Sequence, residues 1–396
     1  MHMKFSEDSE NSYFFSQPHQ PFFVLAFINA VVIMFIFLLA YNGRINLAIP
    51  PSDFHAYGLT YLMFTPAFFA FLFTTFPRFS STPVIEKKSY MRIFSFYYIG
   101  SVLFILGSIV SPILSVSGML ILLAGHLLGI LILKNRYMLS PTEDKHDIFW
   151  ILLAMVFGLV AHFLFIIGEL FVGSFIGFSM EVSVYLYLFL LAFSVAQRMV
   201  PFFSHCMVER NDTLLRNVFL LLGLHILLEG IVTNSSFIVD LILAYIIAKE
   251  LFRWQLPFPN PNPMLWILHL ALYWIPVAFL FGAMSNFITL INGTDFLFLD
   301  IHILMLGFVF TILIGFGTRV TIGHSGNMMQ AGLWEKILFN WTQVVVIIRL
   351  FTSMMAALGY NFLVLFDISV TVWLLMFILW AIRFFKLLIF GKKLGE

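Results

Sequence analysis

Chemistry in this chain has few places to reside. The side chains suited to it are eleven histidines, set in a sequence with one cysteine. Two of them, His302 and His324, bracket one apolar run, which closes on the stretch GTRVTIGHSG at residues 317–326 and so carries Arg319 as well. An imidazole nitrogen is a common ligand for haem iron and for transition metals inside helical proteins. Polar groups at membrane depth are costly and usually have a reason. His302 and Arg319 are 17 residues apart, roughly 25 Å along a helix, so His302 and His324 belong to different polar layers. A lone histidine in a helix more often serves as a hydrogen-bonding residue, and His126, His162 and His225 are read that way. Glu169 and Glu229 lie on the helical faces of His162 and His225 and read as interfacial carboxylates rather than imidazole partners. His205 beside Cys206 reads as a helix end, and a single cysteine excludes both an internal disulfide and a Cys-only metal site.

The elements that position these residues follow from composition. The chain is 61% hydrophobic and 10% charged, with a mean hydropathy of +0.99. A soluble chain of 396 residues cannot hide that much apolar surface. The fold class expected is all-α: a polytopic transmembrane helical bundle embedded in lipid, because strands with open edges cannot satisfy their backbone there. Twelve segments are long enough to span, approximately 21–41, 55–76, 92–111, 113–133, 148–170, 182–202, 214–231, 234–252, 264–284, 298–318, 337–357 and 363–386. Residues 1–20 are expected as an N-terminal tail, 21–390 as a single transmembrane domain and 391–396 as a C-terminal tail. The first apolar run lacks a cleavage site and reads as a retained helix. No internal repeat is visible in the sequence.

Of the 21 Lys and Arg residues, all but Arg44 and Arg349 fall on the side that holds both termini. This positive-inside bias predicts cytoplasmic termini. Depth then sorts the histidines. His55 and His302 open helices at the outer face and are expected to form one site; His19, His269 and His324 lie toward the inner face and are expected to form another. The net charge of +1 gives no field for nucleic acid. No Walker loop, dinucleotide fingerprint, HExxH or GxSxG occurs, so catalysis is left open.

Several stretches, in order, resemble the NnrS family. HILMLGFVFTILIGFGTRVTIGHSG is similar to its histidine-led helix with a terminal Arg and a GHTG-type turn. PHQPFFVLAF resembles its start of helix 1. FHAYGLTYLMFTPAFFAFLFTTFPRFSSTPV resembles its WHAHE-led second helix, and QRMVPFF and LHLALYW resemble two further stretches. The resemblance spans nearly the whole chain. It implies a haem- and copper-containing protein of the bacterial inner membrane, linked to nitric oxide and nitrosative stress and handling nitric oxide or metal–nitrosyl species. It carries over His55, His302, His19, His269, His324, Arg319 and Arg198 as cofactor-binding residues, with His55, His302, His324 and His269 as metal ligands and the arginines suited to haem propionates. Tyr57 and Gly58 stand where the family has a second histidine and a glutamate, and Asn327 replaces a basic residue. The competing expectation is a cofactor-free secondary transporter, with helices broken at Pro66, Pro112 or Pro276.

Overall fold

The computed structural model describes residues 13–391. Part of the expected N-terminal tail, His2, Lys392, Lys393 and the rest of the C-terminal tail lie outside them.

Among the described residues the chain is helical, in twelve long helices that match the twelve apolar segments. In chain order they are α1 (His19–Tyr41), α2 (Pro51–Phe79), α3 (Lys87–Val110), α4 (Pro112–Leu139), α5 (His146–Leu170) and α6 (Ser174–Phe203). They continue as α7 (Leu214–Ile231), α8 (Phe237–Trp254), α9 (Pro263–Asn292), α10 (Leu299–His324), α11 (Leu333–Ala357) and α12 (Leu363–Phe390). Eleven are long and apolar enough to cross a membrane. The twelfth, α8, has the length but carries Asp240, Lys249, Glu250 and Arg253. Pro276 lies within a continuous α9, and Pro112 begins α4. The irregularities fall elsewhere.

Those irregularities expose a repeat that the residues conceal. The second, sixth and tenth helices each contain a wide π-helical segment, at Gly58–Phe64, Val182–Phe189 and Ile303–Phe310. The spacing is roughly 120 residues each time, so the chain reads as three successive groups of four helices, the second of each group π-wound. The ends of α2 and α6 repeat as well. Ser81 and His205 both take left-handed backbone (φ 51° and 53°). One residue on, the Thr82 amide bonds the Pro77 carbonyl at 2.8 Å and the Cys206 amide bonds the Pro201 carbonyl at 2.9 Å. No repeat is visible in the residues because π-winding and turn geometry tolerate different side chains, so the backbone recurs where the sequence does not.

A π turn displaces carbonyls from ordinary i→i−4 pairing, and in lipid each must find another donor. Thr65 and Thr311 supply hydroxyls to the carbonyls of Thr60 and Leu306, five residues earlier, at 2.7 and 2.8 Å. Asn29 of α1 donates to the Leu62 carbonyl at 2.8 Å and to the Ser101 hydroxyl at 2.9 Å, which ties α1, α2 and α3 together. π segments often sit at functional sites. Here Tyr57, Glu181 and His302 immediately precede them.

The chain forms two compact units. The first holds the chain through Ser179 together with Gly317–Met329 and the residues from Phe377; the second holds Met180–Phe316 and Gln330–Met376. In the first, α3 and α4 pack at near-contact of their backbones. A Cβ on Gly118 would lie 2.4 Å from the Phe104 amide nitrogen, and one on Gly107 would lie 2.1 Å from that of Ser115. Gly125 and Gly129, read from sequence as packing positions, admit Phe96 and the ring of Phe69.

The basic-residue asymmetry makes an expected result of its own. Reporters fused after Glu396 should read cytoplasmic and reporters fused after Arg44 periplasmic. The opposite pattern would invert every depth assigned above.

Candidate functional site

The inner group of histidines is built from two helix ends. His19 opens α1 and is 2% exposed. His324 closes α10. Both belong to the first unit, and their ring centroids are 4.8 Å apart with planes inclined by 58°. The His324 Nδ1 lies 2.8 Å from the Gln17 side-chain oxygen. That oxygen can only accept, so Nδ1 carries the hydrogen and Nε2 holds the lone pair. This is the arrangement in which a neighbouring polar group fixes an imidazole for ligation. The His19 Nδ1 is buried with no hydrogen-bond partner within the protein. A buried polar nitrogen left in that state is costly, and a bound cation would relieve the cost. The positive charge of Arg78 also acts on His324. Arg319, one and a half turns earlier in α10, is partly buried, and its neighbour Thr318 accepts from the Trp380 indole at 3.0 Å.

His269, expected with this pair, lies in the second unit. Its Nδ1 is 3.1 Å from the Pro257 carbonyl and its Nε2 is 2.7 Å from the Ser204 hydroxyl. The carbonyl takes the ring hydrogen and the serine uses the lone pair, so a metal at His269 would have to displace Ser204. Arg198 is exposed near the end of α6. The His205–Cys206 pair forms the turn described above, and burial raises the Cys206 thiol, away from the thiolate a metal needs.

The outer histidines are divided between the units. His55, in the first, stacks on Phe37 with centroids 4.4 Å apart. His302, in the second, has Nδ1 2.8 Å from the Phe298 carbonyl. Arg349 of α11 approaches that same Nδ1 at 3.2 Å and donates to the Leu297 carbonyl at 2.7 Å. It also bonds Ser353. Arg349 was legible only as an arginine inside a helix; its place beside His302 comes from the turn at Leu297 and Phe298, both left-handed.

A family model for the NnrS protein matches residues 13–390. The chain belongs to the NnrS family. No curated protein matches it.

In this NnrS family member Tyr57 has a structural role. The Tyr57 hydroxyl lies 2.7 Å from the His162 Nε2, whose Nδ1 lies 3.4 Å from the His126 Nδ1. Tyr61 stacks on His162 with centroids 3.9 Å apart. Both histidines are fully buried. Their reading as hydrogen-bonding residues stands, with a partner on α2 that histidine spacing could not reveal. Gly58 leaves space that the Ile33 side chain fills, since a Cβ there would meet it at 2.8 Å. His225 is likewise hydrogen-bonded, though not to Glu229. That carboxylate instead accepts from the amides of Asn234 and Ser236 at the start of α8.

Proposed function

We propose that this multi-pass membrane protein is a haem- and copper-containing member of the nitric oxide and nitrosative stress response, in a bacterial inner membrane. The observation that carries the metal part is the His19–His324 pair: two imidazoles from opposite ends of the sequence, one oriented by Gln17 and the other with a buried nitrogen lacking a partner. A soft or borderline metal suits imidazole nitrogen, so this pair fits copper. His55 and His302 are the outer-face residues that would each offer an imidazole to haem; Arg319 and Arg198, toward the inner face, would be cations for an anionic group on that side only. Haem, if bound, would supply an iron able to bind nitric oxide. The chain's own contribution is orientation: the Phe298 carbonyl and Arg349 hold the His302 ring at Nδ1, and Phe37 holds the His55 ring plane.

The test is a reduced-minus-oxidised spectrum with metal analysis on the protein purified in mild detergent from haem- and copper-replete cells. Haem bands and bound copper are expected. Their joint absence would reject this reading and favour the cofactor-free transporter, for which the wide turns in α2, α6 and α10 would serve as the broken helices.

A further inference from the structure

The second unit contains a titratable cluster that the proposed cofactors do not use. His225 of α7 is 1% exposed and lies between two carboxylates. Its Nδ1 is 2.7 Å from the Asp240 Oδ1, and its Nε2 is 3.6 Å from the Glu181 Oε2. Asp240 opens α8 and is itself 1% exposed. Its other oxygen accepts from Ser236 at 3.1 Å and from Asn286 at 3.2 Å. Three donors thus hold this carboxylate in place. Glu181 differs. Its side chain keeps 27% of its surface exposed, yet Oε2 is buried and has no hydrogen-bond donor other than the His225 ring it faces. Tyr185 packs its ring 4.3 Å from that of His225 and donates to Asp300 at 3.2 Å. A narrow crevice, too small to hold a water molecule, adjoins the cluster, lined by Tyr185, Asp240, Gly282 and Asp300 among others. The charged groups that act on His225 are Asp240 and Glu181. Those that act on Tyr185 are Asp300, Glu181 and Asp240.

We infer that Glu181, His225 and Asp240 form a proton-exchange site, in which Glu181 passes a proton between the exterior of the protein and the His225 Nε2 while Asp240 holds the imidazolium through Nδ1. The geometry assigns the roles. Buried charge must be paired, and an imidazolium between two carboxylates is paired on both sides. Asp240, fully bonded, is the fixed partner. Glu181, half-open and weakly bonded, is the one free to move. In the exchange the Glu181 O–H bond breaks and an N–H bond forms at Nε2, giving carboxylate and imidazolium; the reverse step returns the proton. No electron is transferred and no co-reactant is needed. Glu181 directly precedes the π segment of α6, whose loosened turn gives its backbone room to shift. The positive-inside expectation puts the start of α6, the end of α7 and the start of α8 at the outer face, so the proton would be exchanged with that side.

The experiment uses the full chain in lipid nanodiscs with ¹⁵N-labelled histidine, and needs no cofactor. Solid-state NMR at neutral pH should show His225 protonated on both nitrogens. Transfer to D₂O should replace its N–H, and Glu181→Gln should slow that replacement by at least about tenfold, at the lower edge of what a positioned acid–base group supplies. Asp240→Asn should remove the doubly protonated signal. A neutral, singly protonated His225 in the unmodified protein would overturn the proposal, as would unchanged exchange in Glu181→Gln. Should Asp240→Asn fail to fold, these two measurements still decide it. Both are independent of haem and copper content, so a protein without either cofactor leaves this inference intact.

Discussion

Replacing Gln17 with Leu should weaken copper binding by about 10–100-fold, the range seen when a residue that orients a metal-bound histidine is lost. The reason is tautomeric. The Gln17 oxygen accepts from the His324 Nδ1 and so keeps the lone pair on Nε2, and Leu leaves the ring free to turn or to present the wrong nitrogen. His324→Ala should remove the site altogether, since one imidazole alone cannot hold a labile transition metal against a competing chelator. His269→Ala should leave affinity within about a factor of 2–3, the usual context scatter, because both of its nitrogens are already engaged by Pro257 and Ser204. Titration of the purified protein with Cu(I) against a chromophoric chelator measures all three. Equal affinity for the unmodified protein, Gln17→Leu and His324→Ala would remove the His19–His324 pair from consideration. A large loss in His269→Ala would restore that residue to the site.

Gly118→Ala and Gly107→Ala should be the most destabilising single-methyl changes in the first unit, each costing about 3 kcal/mol or more. Overpacking a core typically costs 1–3 kcal/mol when a side chain can yield, but here the added carbon meets backbone. It lies 2.4 Å from the Phe104 nitrogen in one case and 2.1 Å from the Ser115 nitrogen in the other. Relief requires α3 and α4 to separate, which gives up the packing that draws transmembrane helices together. Gly223→Ala is the control. It lies in α7 with nothing within 4 Å of the added carbon, so helix propensity should stabilise it by about 0.5–1 kcal/mol. Unfolding in mixed micelles, followed by circular dichroism, compares them. Equal midpoints for Gly118→Ala and Gly223→Ala would contradict the close approach of α3 and α4.

The sequence by itself determined the class of fold and the number and place of its helices, because both follow from quantities that add along a chain. A span needs about 20 apolar residues whatever its neighbours are, and each apolar segment found in the sequence has its helix. α8 shows the limit of that arithmetic: its segment was found, but Asp240, Lys249, Glu250 and Arg253 keep it from meeting the same apolar criterion. Family membership was legible for a similar reason, since ordered motifs such as HILMLGFVF and GHSG are linear patterns. Depth, at 1.5 Å per residue, put His19 at the level of His324, and their ring centroids lie 4.8 Å apart.

Only the tertiary structure decided which residues at one depth meet. His19 and His324 face each other because two helix ends converge in one unit, whereas His269, expected beside them from depth and from the family resemblance, hydrogen-bonds Ser204 and Pro257 in the other unit. The partners of His225 are 15 and 44 residues away at Asp240 and Glu181, while the nearer Glu229 caps the next helix. Rotation about a helix axis moves a side chain through 100° per residue, so a register that no local pattern fixes selects the neighbour. The threefold recurrence of π segments was hidden for a different reason. Backbone winding is read from hydrogen-bond pairing rather than from residue type: Thr65 and Thr311 donate within their own helices, and Asn29 donates from α1.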